Sequence, residues 1–195
     1  GQTYFFAASG AMQSGWILRP EGWYYAAESG NQIAGWAQVG GAWYYLDPEN
    51  EDYPGLMLAD EKKVIGNATY FFDGSGAMRM DWISQPEGWY YADSISAVGW
   101  KWIRGAWYYL DGFDTEYPGK MLANEQKVIG GSTYFFGDSG KMLTGWILKP
   151  EGWYYASADG TMLTGWVKVG NFWYYLNGSD EEYPGRMVQN CKLKI

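Results

Sequence analysis

The chain has 195 residues, 20% of them aromatic, with 13 Trp, 18 Tyr, 28 Gly, one Cys and no His. Its formal net charge of −8 argues against nucleic acid, because phosphate binding needs clustered Lys and Arg, and the absence of His removes most metal-site and triad chemistry. Cys191 stands alone, so no intramolecular disulfide can form, and no apolar run is long enough to insert across a membrane. In chain order, the sequence opens inside a motif at Gly1-Gln2-Thr3-Tyr4, so a covalently linked N-terminal domain is expected. Thr-Tyr-Phe-Phe begins at Thr3 and again at Thr69 and Thr133. Pro-Glu-Gly-Trp-Tyr-Tyr-Ala begins at Pro20, Pro86 and Pro150. Trp-Tyr-Tyr-Leu begins at Trp43, Trp107 and Trp173, and Tyr-Pro-Gly at Tyr53, Tyr117 and Tyr183. These recurrences define one repeat domain, 1–195, made of three super-repeats, 1–65, 66–129 and 130–195, each of three units of about 20 residues.

Each unit reads as a β-hairpin. Gly170-Asn171 supplies a tight turn between two strands, and Pro150-Glu151-Gly152 does the same in the preceding unit, with Pro fixing φ at the corner. A two-stranded hairpin is marginal in water, so such units must stack on their neighbours. The predicted fold is all-β, a β-solenoid of stacked two-stranded hairpins with about three hairpins per turn. No helix is expected. The middle super-repeat has a shorter linker at 93–98, and the tail from Met187 tracks the start of another unit before it stops.

Two unit types carry Trp pairs spaced by seven: Trp16 and Trp23, Trp36 and Trp43, Trp82 and Trp89, Trp100 and Trp107, Trp146 and Trp153, Trp166 and Trp173. Trp102 is the one Trp left over. The third type is degenerate. Its second strand is Tyr70-Phe71-Phe72 or Tyr134-Phe135-Phe136, and Lys63 and Lys127 are read as standing where the other units carry Trp.

Strand alternation puts Trp23 and Tyr25 on one face and Tyr24 on the other. With the turn centred between Pro20 and Glu21, Trp16 lies opposite Tyr25, so both indoles share that face. Stacking then sets the Trp pair against the middle Tyr of the next hairpin, and the Met that follows closes the site. The predicted cages are Trp16, Trp23, Tyr44 and Met57; Trp82, Trp89, Tyr108 and Met121; and Trp146, Trp153, Tyr174 and Met187. A second tier uses Trp36 and Trp43 with Phe71 and Met78, and Trp100 and Trp107 with Phe135 and Met142. Trp166 and Trp173 have no complete next hairpin to close on, and the units headed by Lys63 and Lys127 should be blank. Such a box suits a quaternary ammonium, whose diffuse, poorly hydrated charge is attracted to aromatic faces at roughly 0.5–2 kcal/mol. The plain alternative is that the indoles only pack. Fixed Trp spacing argues against it, since Leu or Val would pack as well.

The combined Gly-Trp, Trp-Tyr-Tyr and Gly-x-Met pattern, seen in full over 145–176, resembles the cell-wall-binding repeats of choline-binding modules of Gram-positive surface proteins, autolysins and phage lysins. The resemblance implies that the cages hold choline, or choline-decorated teichoic acid, and anchor a secreted or cell-surface protein to the wall. It implies a non-catalytic module, and no catalytic residue, cofactor or metal is assigned. The alternative is a saccharide (glucan)-binding repeat, as in streptococcal glucosyltransferases or clostridial toxins. Sugars usually need polar partners beside the ring, and none recurs with the Trp pairs apart from the turn acids. The acidic linkers that begin at Asp47, Asp111 and Asn177 read as solvated turns, since their carboxylates do not follow an EF-hand pattern.

Overall fold

Strands and tight turns make up the computed structural model, which describes residues 1–94 and 98–190; Cys191 and the rest of the tail lie outside the described residues. Among the described residues the strands form eight antiparallel sheets, five two-stranded and three three-stranded. Each sheet is built on one hairpin of neighbouring strands. Gly15–Arg19 pairs with Gly22–Ala26 across Pro20-Glu21, and Gly165–Val169 pairs with Phe172–Asn177 across Gly170-Asn171. Trp16 lies opposite Tyr25 and Trp146 opposite Tyr155, as strand alternation requires.

The Tyr-Pro-Gly inserts change the path of the chain without changing where it returns. After the insert, Met57 pairs with Leu46 and Met187 with Leu176, each forming a short third strand. In the short linkers an isolated bridge delivers Met78 to Phe72 and Met142 to Phe136. Methionine therefore reaches the end of its own hairpin's second strand by either route. Asp114 and Asp180 hold the inserts as turn caps, accepting from the backbone N–H groups of Tyr117 and Tyr183 at 2.9 and 3.0 Å.

The glycine before each Met also has a steric task. At Gly76 (φ 81°) a Cβ would stand 2.4 Å from the Met57 thioether, and at Gly160 (φ 85°) it would stand 2.3 Å from Met142. Only Gly accepts both that φ and that approach.

The chain forms two compact units, Gly1–Val98 with Gly112–Lys120, and Gly99–Asp111 with the chain from Met121 onward. In the first, Phe71 packs on Ile83 and Tyr90, while Tyr45, Leu58, Tyr70, Phe72 and Met78 form a larger cluster. In the second, Phe135 packs on Ile147, Tyr154 and Ala156. A buried carboxylate ties one hairpin to the next in each unit: Asp47 to Lys63, and Asp111 to Lys127, both at 2.6 Å.

Candidate ligand-binding cages

Turn position decides which side chains meet. In the hairpin Gly15–Arg19 with Gly22–Ala26, both indoles project from one face and meet edge to face, with centroids 6.5 Å apart at 87°. Tyr44 of the next hairpin stands 4.7 Å from Trp16. Together Trp16, Trp23, Tyr44 and Met57 line a cavity of about 340 Å³, with Ser75 at its edge. The second unit repeats this. Trp146 and Trp153 lie 6.2 Å apart at 86°, and Tyr174 is 4.7 Å from Trp146. With Met187 they line a cavity of about 250 Å³.

Rings set at near right angles are the favoured contact between aromatic quadrupoles, and they also make two walls of a box. Tyr25 and Tyr155, each 5.0 Å from the first Trp of its hairpin, brace that wall. Among the described residues, no charged group lines either cavity. What remains is π surface and a polarisable thioether inside an acidic protein. That arrangement attracts a weakly hydrated cation and offers a sugar hydroxyl few partners.

A third cavity, of about 320 Å³, is lined by Trp100, Trp107, Tyr134, Met142 and Asp159. Its indoles are 6.3 Å apart at 88°, with Tyr134 4.8 Å from Trp100.

The profile of the choline-binding repeat matches residues 123–158, and that of the cell wall binding repeat matches 34–49, 62–78, 98–112 and 164–179. The chain belongs to the choline-binding repeat proteins. Its β-solenoid has solved counterparts in choline binding protein F of Streptococcus pneumoniae (28% identity over 97% of this chain and 71% of that one, TM-score 0.67) and in CbpJ of the same organism (29%, 95% and 61%, 0.59). The choline-binding domain of CbpL from Streptococcus pneumoniae is also similar (28%, 90% and 87%, 0.55). No curated protein sequence matches the chain significantly.

Two expectations for these choline-binding repeats need correction. Tyr134, not Phe135, completes the Trp100 set, and Tyr70, 4.7 Å from Trp36, takes the place expected of Phe71. Phe135 and Phe71 are core, 0% and 5% exposed. The register explains this. Ile65 pairs with Ala68 as Val39 pairs with Ala42, so Thr69 aligns with Trp43, Tyr70 with Tyr44 and Phe71 with Tyr45. Counting from the first aromatic residue instead of from the turn shifts the assignment by one residue, which moves it to the other face.

The same count puts Lys62 and Gln126 at the first-Trp position, and not Lys63 and Lys127. The latter are the partners of Asp47 and Asp111. Hydrogen bonding to Asp47 raises the pKa of the Lys63 ammonium.

Protein itself covers the degenerate repeat of the first unit. Thr69, at the second-Trp position, donates both its N–H (3.0 Å) and its hydroxyl (2.8 Å) to the Pro118 carbonyl. Lys62 binds Glu87 at 2.8 Å, and Glu87 accepts from the Tyr90 hydroxyl at 3.3 Å. Burial pushes the Tyr90 phenol well above its ordinary value, and the Glu87 charge adds to the effect.

Of the remaining predicted residues, Trp82 and Trp89 form the same corner in the first unit, 6.5 Å apart at 86°. Tyr108 and Met121 belong to the second unit. Trp166 and Trp173 are 58% and 61% exposed. Trp36, Trp43 and Met78 come together around Tyr70. Sequence reasoning missed Ser75 and Asp159. Their signal is the Ser-Gly or Asp-Gly step that precedes each Met in a short linker.

Proposed function

We infer that this chain is a cell-wall-binding module whose cages take the trimethylammonium group of choline on teichoic acid. The proposed ligand-binding residues are Trp16, Trp23, Tyr44 and Met57 in one cage, and Trp146, Trp153, Tyr174 and Met187 in another. Trp100, Trp107, Tyr134 and Met142 form a third. The observation that carries this reading is the recurrence, in both compact units, of one cavity built from two perpendicular indoles, a phenol and a thioether, with no charged group in its lining among the described residues. Methyl groups meet apolar surface there, while the diffuse positive charge meets ring faces.

The chain acts by binding and not by catalysis. Several cages on one chain give avidity toward a polymer that displays many choline groups, beyond the affinity of any one cage. On this reading the module holds a secreted, covalently linked cargo domain at the cell surface.

The test is titration of intrinsic Trp fluorescence with choline, with glucose oligomers in parallel. Choline should give a saturable change and the oligomers none. Trp153→Ala and Trp23→Ala should each weaken one class of site about fivefold or more, given about 1 kcal/mol per ring. A response to the oligomers alone would replace the choline reading with a saccharide one.

A further inference from the structure

The three cavities share their walls and differ at their edges. Among the described residues, the Trp146 cavity is lined by Trp146, Trp153, Tyr174 and Met187, the Trp16 cavity adds Ser75 to the matching set, and the Trp100 cavity adds Asp159. Ser75 and Asp159 hold one place, immediately before the glycine of the linker turn, where Ser9, Ser29 and Ser139 also stand. Asp159 is thus the one acidic departure among these short turns. Its Oδ1 accepts from the Ser157 hydroxyl and, at 3.1 Å, from the Thr161 N–H. The Ser157 hydroxyl and then the Thr161 N–H hold its carboxyl below the ordinary carboxylate value. The edge of this cavity is therefore a fixed anion at neutral pH.

A quaternary ammonium has no N–H to donate and gains from such an anion only a solvent-screened attraction. An ammonium with an N–H places its methyl groups on the rings and donates a charge-assisted bond to the carboxylate. A phosphoester next to the cation would be repelled. The wall also extends on this hairpin. Trp102 lies 5.3 Å from Trp107 with the rings tilted at 59°, and is 60% exposed, where Leu18 and Leu148 stand in the other two hairpins.

We propose that the Trp100–Trp107 cavity, besides taking a quaternary ion, is a subsite that favours protonated amines bearing an N–H, a preference the Trp16 and Trp146 cavities lack. This proposal rests on reading the cages as cation sites.

The experiment titrates the full chain at neutral pH with choline and with N,N-dimethylethanolamine, the same skeleton less one methyl, following the indole N–H signals of each Trp by NMR. In D159S, dimethylethanolamine should bind about fivefold more weakly at Trp100 and Trp107, and choline less than about twofold more weakly. S75D should give the Trp16 cavity the complementary gain for the amine. Serine is what the sister turns carry, and unchanged dispersion of the other indoles reports the fold. Equal loss of both ligands in D159S, or no loss of either, overturns the proposal while leaving the choline reading standing. If choline moves no indole yet dimethylethanolamine still depends on Asp159, the choline reading falls and the amine subsite stands. If neither ligand binds, both fall.

Discussion

Trp36 and Trp100 head two sets with the same four residue types and nearly the same ring geometry. The indole pairs are both 6.3 Å apart, at 90° and 88°, and the phenols stand 4.7 and 4.8 Å from the first Trp. Yet Tyr70 and Met78 are 4% and 5% exposed, while Tyr134 and Met142 are half-buried and line an open cavity. The walls cannot explain this, because they match.

The cover differs. Tyr70 and Met78 share a buried cluster with Ala92, and Val98 packs against it. The corresponding Ala156 packs instead with Phe135, Ile147 and Tyr154, and the longer linker after it puts Asp159 at the cavity edge. The linker two hairpins further on therefore differs between the two sets: Val98 packs against the buried one, and Asp159 borders the open one.

Stability should separate the two sets most. Trp36→Ala should cost about 3 kcal/mol by chemical denaturation, as for a large aromatic lost from a packed cluster, and leave the number of choline equivalents unchanged by calorimetry. Trp107→Ala should remove one equivalent at a smaller stability cost. Loss of a choline site in Trp36→Ala would mean that the first set also binds.

A smaller effect should follow from the linker itself. Replacing residues 93–98 with the sequence of 157–164 should add one choline equivalent, carried by Trp36 and Trp43. An unchanged stoichiometry would place the cause of closure elsewhere.

The smallest effect should be common to both sets. Burial, and then the charge of Asp47 or Asp111, raises the pKa of Tyr45 and Tyr109 alike. The unfolded chain ionises these phenols first, at about pH 10, so their contribution is complete below that value and is lost as pH rises through the folded value. Thermal unfolding with pH, alongside tyrosinate absorbance, should show stability falling as these phenols ionise above about pH 10.

Much of this was legible in the sequence because hairpins impose a strict count. Six Trp pairs spaced by seven gave the shared face, and the register of Trp16 with Tyr25 follows from the Pro20-Glu21 turn alone. The Met residues were legible as closing groups because each follows a Gly at fixed distance. Phe71 and Phe135 went wrong where the degenerate strand lost the Trp that marks where counting starts. Ser75 and Asp159 were not legible, since each reaches its cage from a linker two hairpins further on, and only stacking brings them there. The role of Pro118 over Thr69 was hidden for the same reason: 49 residues separate them.

The N–H of Met78 donates to the Trp43 carbonyl at 2.7 Å, and that of Met142 to the Trp107 carbonyl at 2.9 Å, so each set of walls draws on three successive stretches of chain. A repeat array is held together by contacts between nearby repeats. An occupant that touches three stretches at once acts as a rivet. With choline bound as proposed, every filled cage adds its binding free energy to the junction it bridges, and pulling the hairpins apart requires expelling the occupant first. A tether made this way is weakest when idle and toughest under load, because the polymer it grips also fastens it together.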